Sequence, residues 1–330
     1  MQTDLAPARN SSLDALRVLS LVGIITLHVA GGGFPGQKPL AFLLDELSRF
    51  AVPVFFLMSA YFWKPDALAN PLRLVRRVAG RVLPAFAFWT AVFVVLRVLK
   101  QPDRGFDFSL GSLATLAWTG GPAFHLWFLP ALVVGTAVVA GLARLVGWKW
   151  TLAGALLLYI AGAVIGTYSN LLLGHGFPFW YDRNGIFFAP VFLVLGVLLR
   201  RYEQQLRMRL PTAIVVSALV AFAALHVAEG YFVAGRFPMG HDYSLGTLGY
   251  AVAMVVLFAR LPIGGSLWSK LGLATFSAYL IHPLVLEVLV MGLQLGRHPL
   301  LVIVLCAAIS LAIAMAFRGL VRRARVPRAA

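Results

Sequence analysis

The sequence predicts an all-α fold: a polytopic bundle of about ten transmembrane helices with both termini in the cytoplasm. Composition is the first reason, because 60% of the 330 residues are hydrophobic and only 12% are charged, whereas soluble domains average about 25% charged residues. Length is the second reason, since several apolar runs reach the roughly 20 residues that a helix needs to cross about 30 Å of hydrocarbon. We therefore expect a single integral membrane domain over residues 1–330.

Ten apolar segments account for most of the chain, and we expect each to form a membrane-spanning helix. They lie at residues 13–31, 41–63, 82–99, 125–145, 150–167, 186–200, 211–229, 244–260, 272–294 and 299–317. The first segment lacks a small-residue cleavage site, so we expect it to be retained rather than removed as a signal peptide. Cys306 is the one cysteine and lies in the last segment, which excludes a disulfide framework and disfavours a thiol nucleophile.

Basic residues are distributed unevenly between the two ends of these segments. Of the 28 Lys and Arg residues, 19 fall on the side of the termini, eight fall on the opposite side, and Arg17 lies inside the first segment. The positive-inside rule therefore places both termini in the cytoplasm. The net charge of +16 is a topology signal in this setting, and we expect no nucleic-acid partner. Loops on the outer side, such as 31–39 and 120–122, are short, so any chemistry takes place in or beside the helices.

Arg17 and His28 are ionisable residues inside the first segment. Eleven residues at about 100° each return to nearly the same helix face, and a rise of 1.5 Å per residue separates the two by roughly 16 Å along the axis. Asp14 lies three residues before Arg17 and is placed to pair with it. Ionisable residues within a span are costly and usually functional. The alternative is that Arg17 only extends to the interface and His28 only ends the span.

Four further stretches complete a recognisable pattern. They are VPVFFLMSAYFW at 52–63, RLVRRVAGRVLPAFAFW at 73–89, HLWFLPAL at 125–132 and FSAYLIHPLV at 276–285. An Arg, ten residues and then a His in the first span, followed by these stretches in this order, resembles the membrane-bound acyltransferase family 3. One departure is Ala60, where the family's motif usually has Gly after Ser.

The resemblance implies an acyl-CoA-dependent O-acyltransferase, most simply an O-acetyltransferase, that modifies a hydroxyl of a cell-envelope carbohydrate or glycolipid. It also implies that His28 is the catalytic base. Imidazole chemistry agrees with that role, because a neutral ring accepts a proton from an attacking hydroxyl near neutral pH. Arg17 stays protonated, so we expect it to bind an anionic or carbonyl group while Asp14 holds it in place.

Four arginines just before the third segment, at its cytoplasmic end, are candidates for binding the donor: Arg73, Arg76, Arg77 and Arg81. In a helix, Arg73, Arg77 and Arg81 would form one stripe. Coenzyme A carries a pyrophosphate and a 3′-phosphate, which guanidinium groups bind bidentately. With the resemblance we predict a donor site here, on the side where acyl-CoA exists. The alternative is a positive-inside loop that faces anionic lipid headgroups.

Further polar or aromatic residues are candidates for contacting the acceptor or supporting the site: Ser59, His125, Trp127, Arg183, His282 and Glu287. Trp127 also fits an interfacial belt residue. Glu287 also fits an acid that pairs with a neighbouring Arg or forms hydrogen bonds in its neutral form. Ser59 fits helix packing better than nucleophilic catalysis, because no base is adjacent to it in sequence.

A transporter or flippase of a glycolipid or small molecule is the main alternative function, since ten helices with buried charge suit either class. The sequence has no inverted repeat, and its intramembrane polar residues concentrate in the first three segments and the ninth. We expect the bacterial cytoplasmic (inner) membrane as the location, with lipid, acyl-CoA and a carbohydrate or lipid-linked glycan as partners. We expect no bound cofactor and no metal, with acetyl-CoA entering as a co-substrate. The acceptor could enter from either side.

Overall fold

The structure is a computed structural model that describes residues 10–31, 34, 37–63, 69–101, 107, 109–119, 123–178, 181–234, 241 and 243–325. Helices supply the regular secondary structure throughout these ranges, as the sequence predicted. The predicted outer loop at 120–122 lies outside the described residues, as do positions 32, 33, 35 and 36 of the predicted loop at 31–39.

Thirteen α-helices run through the described ranges. They are α1 Ser11–Gly31, α2 Lys38–Ser48, α3 Ala51–Tyr61, α4 Pro71–Lys100, α5 Leu110–Thr119, α6 Phe128–Leu145, α7 Trp148–Ile165, α8 Ser169–Leu173, α9 Ala189–Arg209, α10 Thr212–Phe232, α11 Leu245–Phe258, α12 Ser266–Glu287 and α13 Pro299–Arg325. A 3-10 turn at Phe124–Trp127 leads into α6, and a π-helical turn at Val288–Gly292 extends α12.

Each of the ten predicted spans coincides with helix, but these helices differ in length and apolarity. Seven described segments are long and apolar enough to cross a membrane: Ser11–Gly31, Pro71–Lys100, Phe124–Leu145, Trp148–Ile165, Thr212–Phe232, Ser266–Gly292 and Pro299–Leu320. α11 is apolar but has only 14 residues, and the second half of α9 is strongly charged. The count of about ten crossings and the cytoplasmic position of both termini therefore stay predictions.

The predicted span at 41–63 is wrong as a single helix. α2 and α3 have 11 residues each and are separated by Arg49 and Phe50. Pro53 lies in the first turn of α3 and has no N–H, so it cannot donate to the carbonyl of Arg49 as a continuous helix would require. The side chain of Arg49 points back along α2, and its Nη2 lies 2.7 Å from the Asp45 carboxylate. The interruption leaves Asp45 and Glu46 buried in the protein.

α1 is the central helix of the structure. It packs against α2, α3, α11, α12 and α13, and Leu16, Leu21 and Ile25 along it are fully buried. Gly23 permits a close crossing, because a Cβ at that position would lie 3.0 Å from the Cβ of Ala51. Polar side chains on α1 therefore face other helices over much of its circumference.

α3 and α9 approach each other closely at Gly196. A Cβ at that position would lie 2.2 Å from the carbonyl oxygen of Leu57, which is too short for any side chain. Ala60, one turn further along α3, is buried. The close packing that Gly would provide at position 60 in the family motif is therefore provided here by the glycine of the opposing helix.

Candidate active site

Three histidine side chains from distant parts of the chain meet inside the protein. His28 comes from the last turn of α1, His125 from the 3-10 turn before α6, and His282 from α12. The rings of His28 and His282 stack, with centroids 5.1 Å apart and 7° between their planes. The His125 ring lies 5.2 Å from His282 and 6.5 Å from His28. This histidine cluster joins the predicted catalytic base to two of the predicted supporting residues.

Aromatic side chains surround the histidine cluster. Phe124 meets His28 edge-on, with centroids 4.7 Å apart, and Phe93 of α4 lies 5.3 Å from the His125 ring. Tyr279 of α12 packs 5.5 Å from His125, and its hydroxyl donates a hydrogen bond to the His125 carbonyl. Tyr279 therefore ties the 3-10 turn to α12, which holds His125 against His282.

Pro283 determines how His282 is protonated. Pro283 has no N–H, so the carbonyl four residues earlier, that of Tyr279, receives no helical hydrogen bond from it. Nδ1 of His282 lies 2.6 Å from that carbonyl oxygen. Because a carbonyl oxygen only accepts, Nδ1 must carry the proton, and Nε2 of neutral His282 is left with its lone pair. The proline thus sets one tautomer of the histidine that precedes it.

The Nε2 atoms of the three rings are all buried, and none has a hydrogen-bond partner among the residues that the structure describes. Buried polar atoms normally have partners, because leaving one unpaired costs about 1–3 kcal/mol. Three such nitrogens in one cluster are the arrangement expected where a polar substrate provides the missing hydrogen bonds. Repulsion between stacked cations also favours a state in which at most one ring is charged.

Arg17 and Asp14 form the predicted ion pair at the other end of α1, with Nη1 2.7 Å from Oδ1. Asp14 is buried against Gly272 of α12, and the guanidinium of Arg17 lies 4.7 Å from the centroid of the Phe62 ring. α1 is unbroken between Arg17 and His28, so their backbones are roughly 16 Å apart. Arg17 therefore cannot touch an atom that reacts at His28. If Arg17 contacts the substrate, it contacts a part of the substrate that is far from the reacting atoms.

Trp127 and Arg183 adjoin the histidine cluster as a pair. The guanidinium of Arg183 lies 5.3 Å from the centroid of the Trp127 ring, and Trp127 is buried. A belt residue would face the headgroup region, so burial disfavours that alternative. Trp127 belongs to the same 3-10 turn as His125, and the stacked guanidinium places a cation near that turn.

The four candidate donor arginines lie on a helix, because α4 begins at Pro71. Arg73, Arg76, Arg77 and Arg81 are all exposed, whereas Val78 is on the packed side of α4. The predicted stripe therefore exists and is accessible. Exposed arginines agree with both interpretations of the sequence: they could bind the phosphates of coenzyme A, or they could face the headgroups of anionic lipids.

Two predicted supporting residues lie outside the histidine cluster. The hydroxyl of Ser59 donates to the carbonyl of Phe55 at 2.7 Å, which is the contact expected of a helix-packing serine. Glu287 pairs with Lys100 at the end of α4, so the ion-pair alternative holds with a lysine as the partner. Sequence reasoning did not single out Phe93, Phe124 or Tyr279, although each contacts the cluster.

Comparison with known proteins identifies the family. The Acyl_transf_3 model, described as an acyltransferase domain, matches residues 10–319. The chain belongs to this acyltransferase family. The match begins just before α1 and ends within α13, so it includes every residue of the histidine cluster and the Arg17–Asp14 pair. The resemblance seen in the sequence motifs is thereby confirmed.

The curated proteins that resemble this chain are named as racemases and not as acyltransferases. A serine/alanine racemase of Enterococcus gallinarum is 28% identical over 296 residues, which cover 83% of this chain and 40% of that protein. An amino-acid racemase of Enterococcus faecalis is 25% identical over 299 residues, which cover 85% of this chain and 41% of that protein. The chain thus spans about two-fifths of the length of the relatives it matches. No solved structure matches the chain.

Proposed function

We propose that this acyltransferase transfers an acetyl group from acetyl-CoA to a hydroxyl of a cell-envelope carbohydrate or glycolipid, in the bacterial cytoplasmic membrane. The observation that carries the proposal is the histidine cluster: three imidazoles whose buried Nε2 atoms have no hydrogen-bond partner in the described ranges. A base of this kind is what acyl transfer to a hydroxyl needs. The family match over residues 10–319 supplies the reaction class.

The proposed reaction is a displacement at the thioester carbonyl. His28 accepts the proton of the acceptor hydroxyl while the hydroxyl oxygen forms a bond to the carbonyl carbon. The carbon–sulfur bond then breaks, the coenzyme A thiolate leaves, and the proton passes from His28 to the sulfur. Neither a net proton nor an electron is gained or lost, so no further reactant is required.

His282 and His125 have distinct places in this scheme. His282 stacks on His28 at 5.1 Å, and its tautomer is fixed through the Tyr279 carbonyl, so it holds the His28 ring and offers a second unprotonated nitrogen. His125 follows Phe124 in the chain, and its main-chain carbonyl accepts a hydrogen bond from the Tyr279 hydroxyl, which fixes the position of His125. We assign His28 the proton transfer and the other two rings the orientation of the acceptor, with Arg183 and Trp127 beside them.

The donor has two candidate binding surfaces. The first is the exposed stripe with Arg73 and Arg77 on α4, as the sequence predicted. The second is a cavity of about 330 Å³ between α7 and α9, whose lining combines two cations with two aromatic rings: Lys149, Arg201, Trp148 and Tyr202. Phosphates bind cations and an adenine ring stacks on aromatic faces. Both surfaces lie on the side that the basic-residue bias predicts to be cytoplasmic.

Double variants distinguish these surfaces. Replacing Arg73 and Arg77 with Ala should weaken acyl-CoA binding if the stripe holds the phosphates, whereas replacing Arg322 and Arg323, a basic pair near the C-terminus, should not. Equal losses in both double variants would indicate general membrane electrostatics and remove the stripe from the donor site.

The cavity is tested by the double variant Lys149→Ala/Arg201→Ala, with binding measured by isothermal titration of purified protein. Loss of binding here, with normal binding in the α4 double variant, would assign the donor to the cavity. Normal binding in both would refute a phosphate role for either surface.

The central experiment follows the acyl group. Purified protein in lipid nanodiscs is incubated with radiolabelled acetyl-CoA and fractionated envelope glycans and glycolipids, and the label is traced after alkaline treatment, which releases O-esters. We expect alkali-labile label on a carbohydrate fraction with wild type and about a hundredfold less with His28→Ala. Transfer that is equal in the two proteins, or label that resists alkali, would refute O-acetylation at the histidine cluster.

A second candidate function is recognition or movement of an amino acid, and the names of the Enterococcus relatives are the observation that favours it. Adding serine to the same assay tests one form of it, since serine also offers a hydroxyl as acceptor. Uptake of radiolabelled serine into proteoliposomes tests the other form. Uptake that needs no acetyl-CoA and survives His28→Ala would favour transport over acyl transfer.

A further inference from the structure

A second buried polar cluster lies apart from the histidine cluster. It consists of Glu46 on α2, His226 in the last two turns of α10, and His241, which precedes α11. Glu46 and His226 are fully buried, and His241 is 2% exposed. These residues are not used in the proposed acyl transfer, and the sequence alone did not single out any of them as functional. Burying a carboxylate with two imidazoles is costly unless the groups satisfy one another or hold an ion.

The three side chains direct their polar atoms to one place. Oε2 of Glu46 lies 2.8 Å from Nε2 of His226 and 3.0 Å from Nδ1 of His241, and one ligand atom from each residue falls within 4.8 Å of the others. A tetrahedral zinc ion with bonds of about 2.0–2.1 Å separates its ligand atoms by about 3.3 Å. The two distances from Oε2 are 0.3 to 0.5 Å shorter than that value, and all the ligand atoms lie within 4.8 Å of one another.

His226 and Glu46 form a close polar contact whose alignment is poor for a hydrogen bond. Nε2 of His226 and Oε2 of Glu46 are only 2.8 Å apart, yet neither atom has a hydrogen-bond partner in the described part of the chain. A ring N–H must point toward its acceptor to form such a bond, so the ring does not aim at this oxygen. Two ligands of one metal ion would make a close, poorly aligned contact of this kind.

Outer contacts orient two of the side chains, as they do around metal sites. Nδ1 of His226 contacts the hydroxyls of Ser244 and Thr247 at 3.1 and 2.9 Å. The main-chain N–H of His241 donates to Oε1 of Glu46 at 3.1 Å, and Nδ1 of His241 also lies 3.1 Å from this oxygen. Oε2 is the oxygen that lies within 3.0 Å of both imidazoles. Gly230 makes room for this carboxylate, since a Cβ there would lie 2.6 Å from Oε1.

We propose that Glu46, His226 and His241 bind a divalent transition-metal ion, with zinc as the expected ion. Two imidazole nitrogens and one carboxylate oxygen form a ligand set that zinc commonly accepts, and three protein ligands leave a fourth position for water. The sequence led us to expect no metal, because the three ligands come from segments that only the fold brings together. The ion would fasten α2 to the segment between α10 and α11, and it has no part in the proton transfer at His28.

The test uses full-length protein purified through a tag that contains no histidine, stripped with a chelator and then dialysed against zinc. Metal content by plasma mass spectrometry should reach one zinc per chain in wild type. Glu46→Gln and His241→Ala should each weaken zinc binding by about tenfold or more, whereas His298→Ala, at an exposed histidine before α13, should not. A wild-type protein that retains no zinc, or variants that retain as much as wild type, would overturn the proposal.

Cobalt substitution keeps the test decisive where a variant folds poorly. Cobalt(II) in a four-coordinate site of wild-type protein should give visible ligand-field bands that zinc abolishes by displacement. Zinc should also raise the thermal midpoint of wild type and His298→Ala and leave that of His241→Ala unchanged, because only a native-state site stabilises by mass action. A cluster that is merely hydrogen-bonded would show neither the bands nor the zinc-dependent midpoint.

Discussion

Gly272 is the residue of α12 that lets Asp14 of α1 pair with Arg17, and replacing it with Ala is a direct test of that packing. A Cβ at position 272 would lie 2.5 Å from both Cβ and Oδ1 of Asp14. Real side-chain carbons stay beyond about 3.4 Å from such neighbours. Rotation of Asp14 cannot relieve the contact, because its own Cβ is part of it. The two helices must therefore separate by nearly 1 Å.

The size of the effect follows from two opposing contributions. Gly→Ala inside a helix stabilises by about 0.5–1 kcal/mol through helix propensity, whereas overpacking a close contact costs about 1–3 kcal/mol. Together these ranges predict a net loss of up to about 2.5 kcal/mol for Gly272→Ala. Gly80, within α4, is the matched control, since nothing lies within 4 Å of a Cβ placed there. Gly80→Ala should gain about 0.5–1 kcal/mol.

The assay is thermal unfolding of both purified variants in the same detergent, followed by tryptophan fluorescence. Gly272→Ala should unfold below wild type and Gly80→Ala at or above it. Transfer activity should fall in Gly272→Ala, because displaced α1 carries both Arg17 and His28. A Gly272→Ala protein at least as stable as Gly80→Ala would refute the close α1–α12 packing, and with it the fixed position of Asp14.

Four further predictions concern the site and the topology. His28→Ala should lower turnover by about 10² or more while acyl-CoA binding persists, since a general base acts mainly in the transition state; parallel losses of binding and rate would contradict this role. Pro283→Ala restores an N–H that competes for the Tyr279 carbonyl, so transfer should fall about tenfold, the equivalent of one hydrogen bond, and unchanged transfer would show that the tautomer is unimportant. Arg17→Lys keeps the charge without the planar fork, and impaired acyl-CoA binding would indicate a bidentate contact, whereas normal binding would indicate charge alone. A cysteine at Ala79 should resist an impermeant thiol reagent in intact cells, and labelling there would invert the topology.

The sequence predicted the helices well because hydrophobic length is a strong local signal in membrane proteins. It did not predict the interruption at Arg49 and Phe50. The apolar residues around Pro53 kept the hydropathy high through a position where the backbone cannot continue its hydrogen bonds. Hydropathy measures the solvent that a segment prefers, and it does not register a missing N–H.

Part of the candidate site was also predictable, because some of its features are local to one helix. The Arg17–His28 spacing and the Asp14–Arg17 pair are local properties of one helix, and the pair formed as expected. The stacking of His28 on His282 is a contact between the first and twelfth helices. The spacing of residues along the sequence does not predict such a tertiary contact. One signal was available, however: the position four residues before Pro283 is Tyr279, so the free carbonyl that orients His282 could have been found from the sequence.

The arrangement of α1 also limits how the reaction can be organised. One continuous helix carries the Arg17–Asp14 pair near one end and His28 in the last turn at the other, roughly 16 Å away. A donor whose phosphates bind near the basic end would need its pantetheine arm to extend along the helix to bring the thioester to His28. Changes at Arg17 should then act on donor binding and changes at His28 on the chemical step. Two variants of a single helix can therefore separate binding from catalysis in this protein.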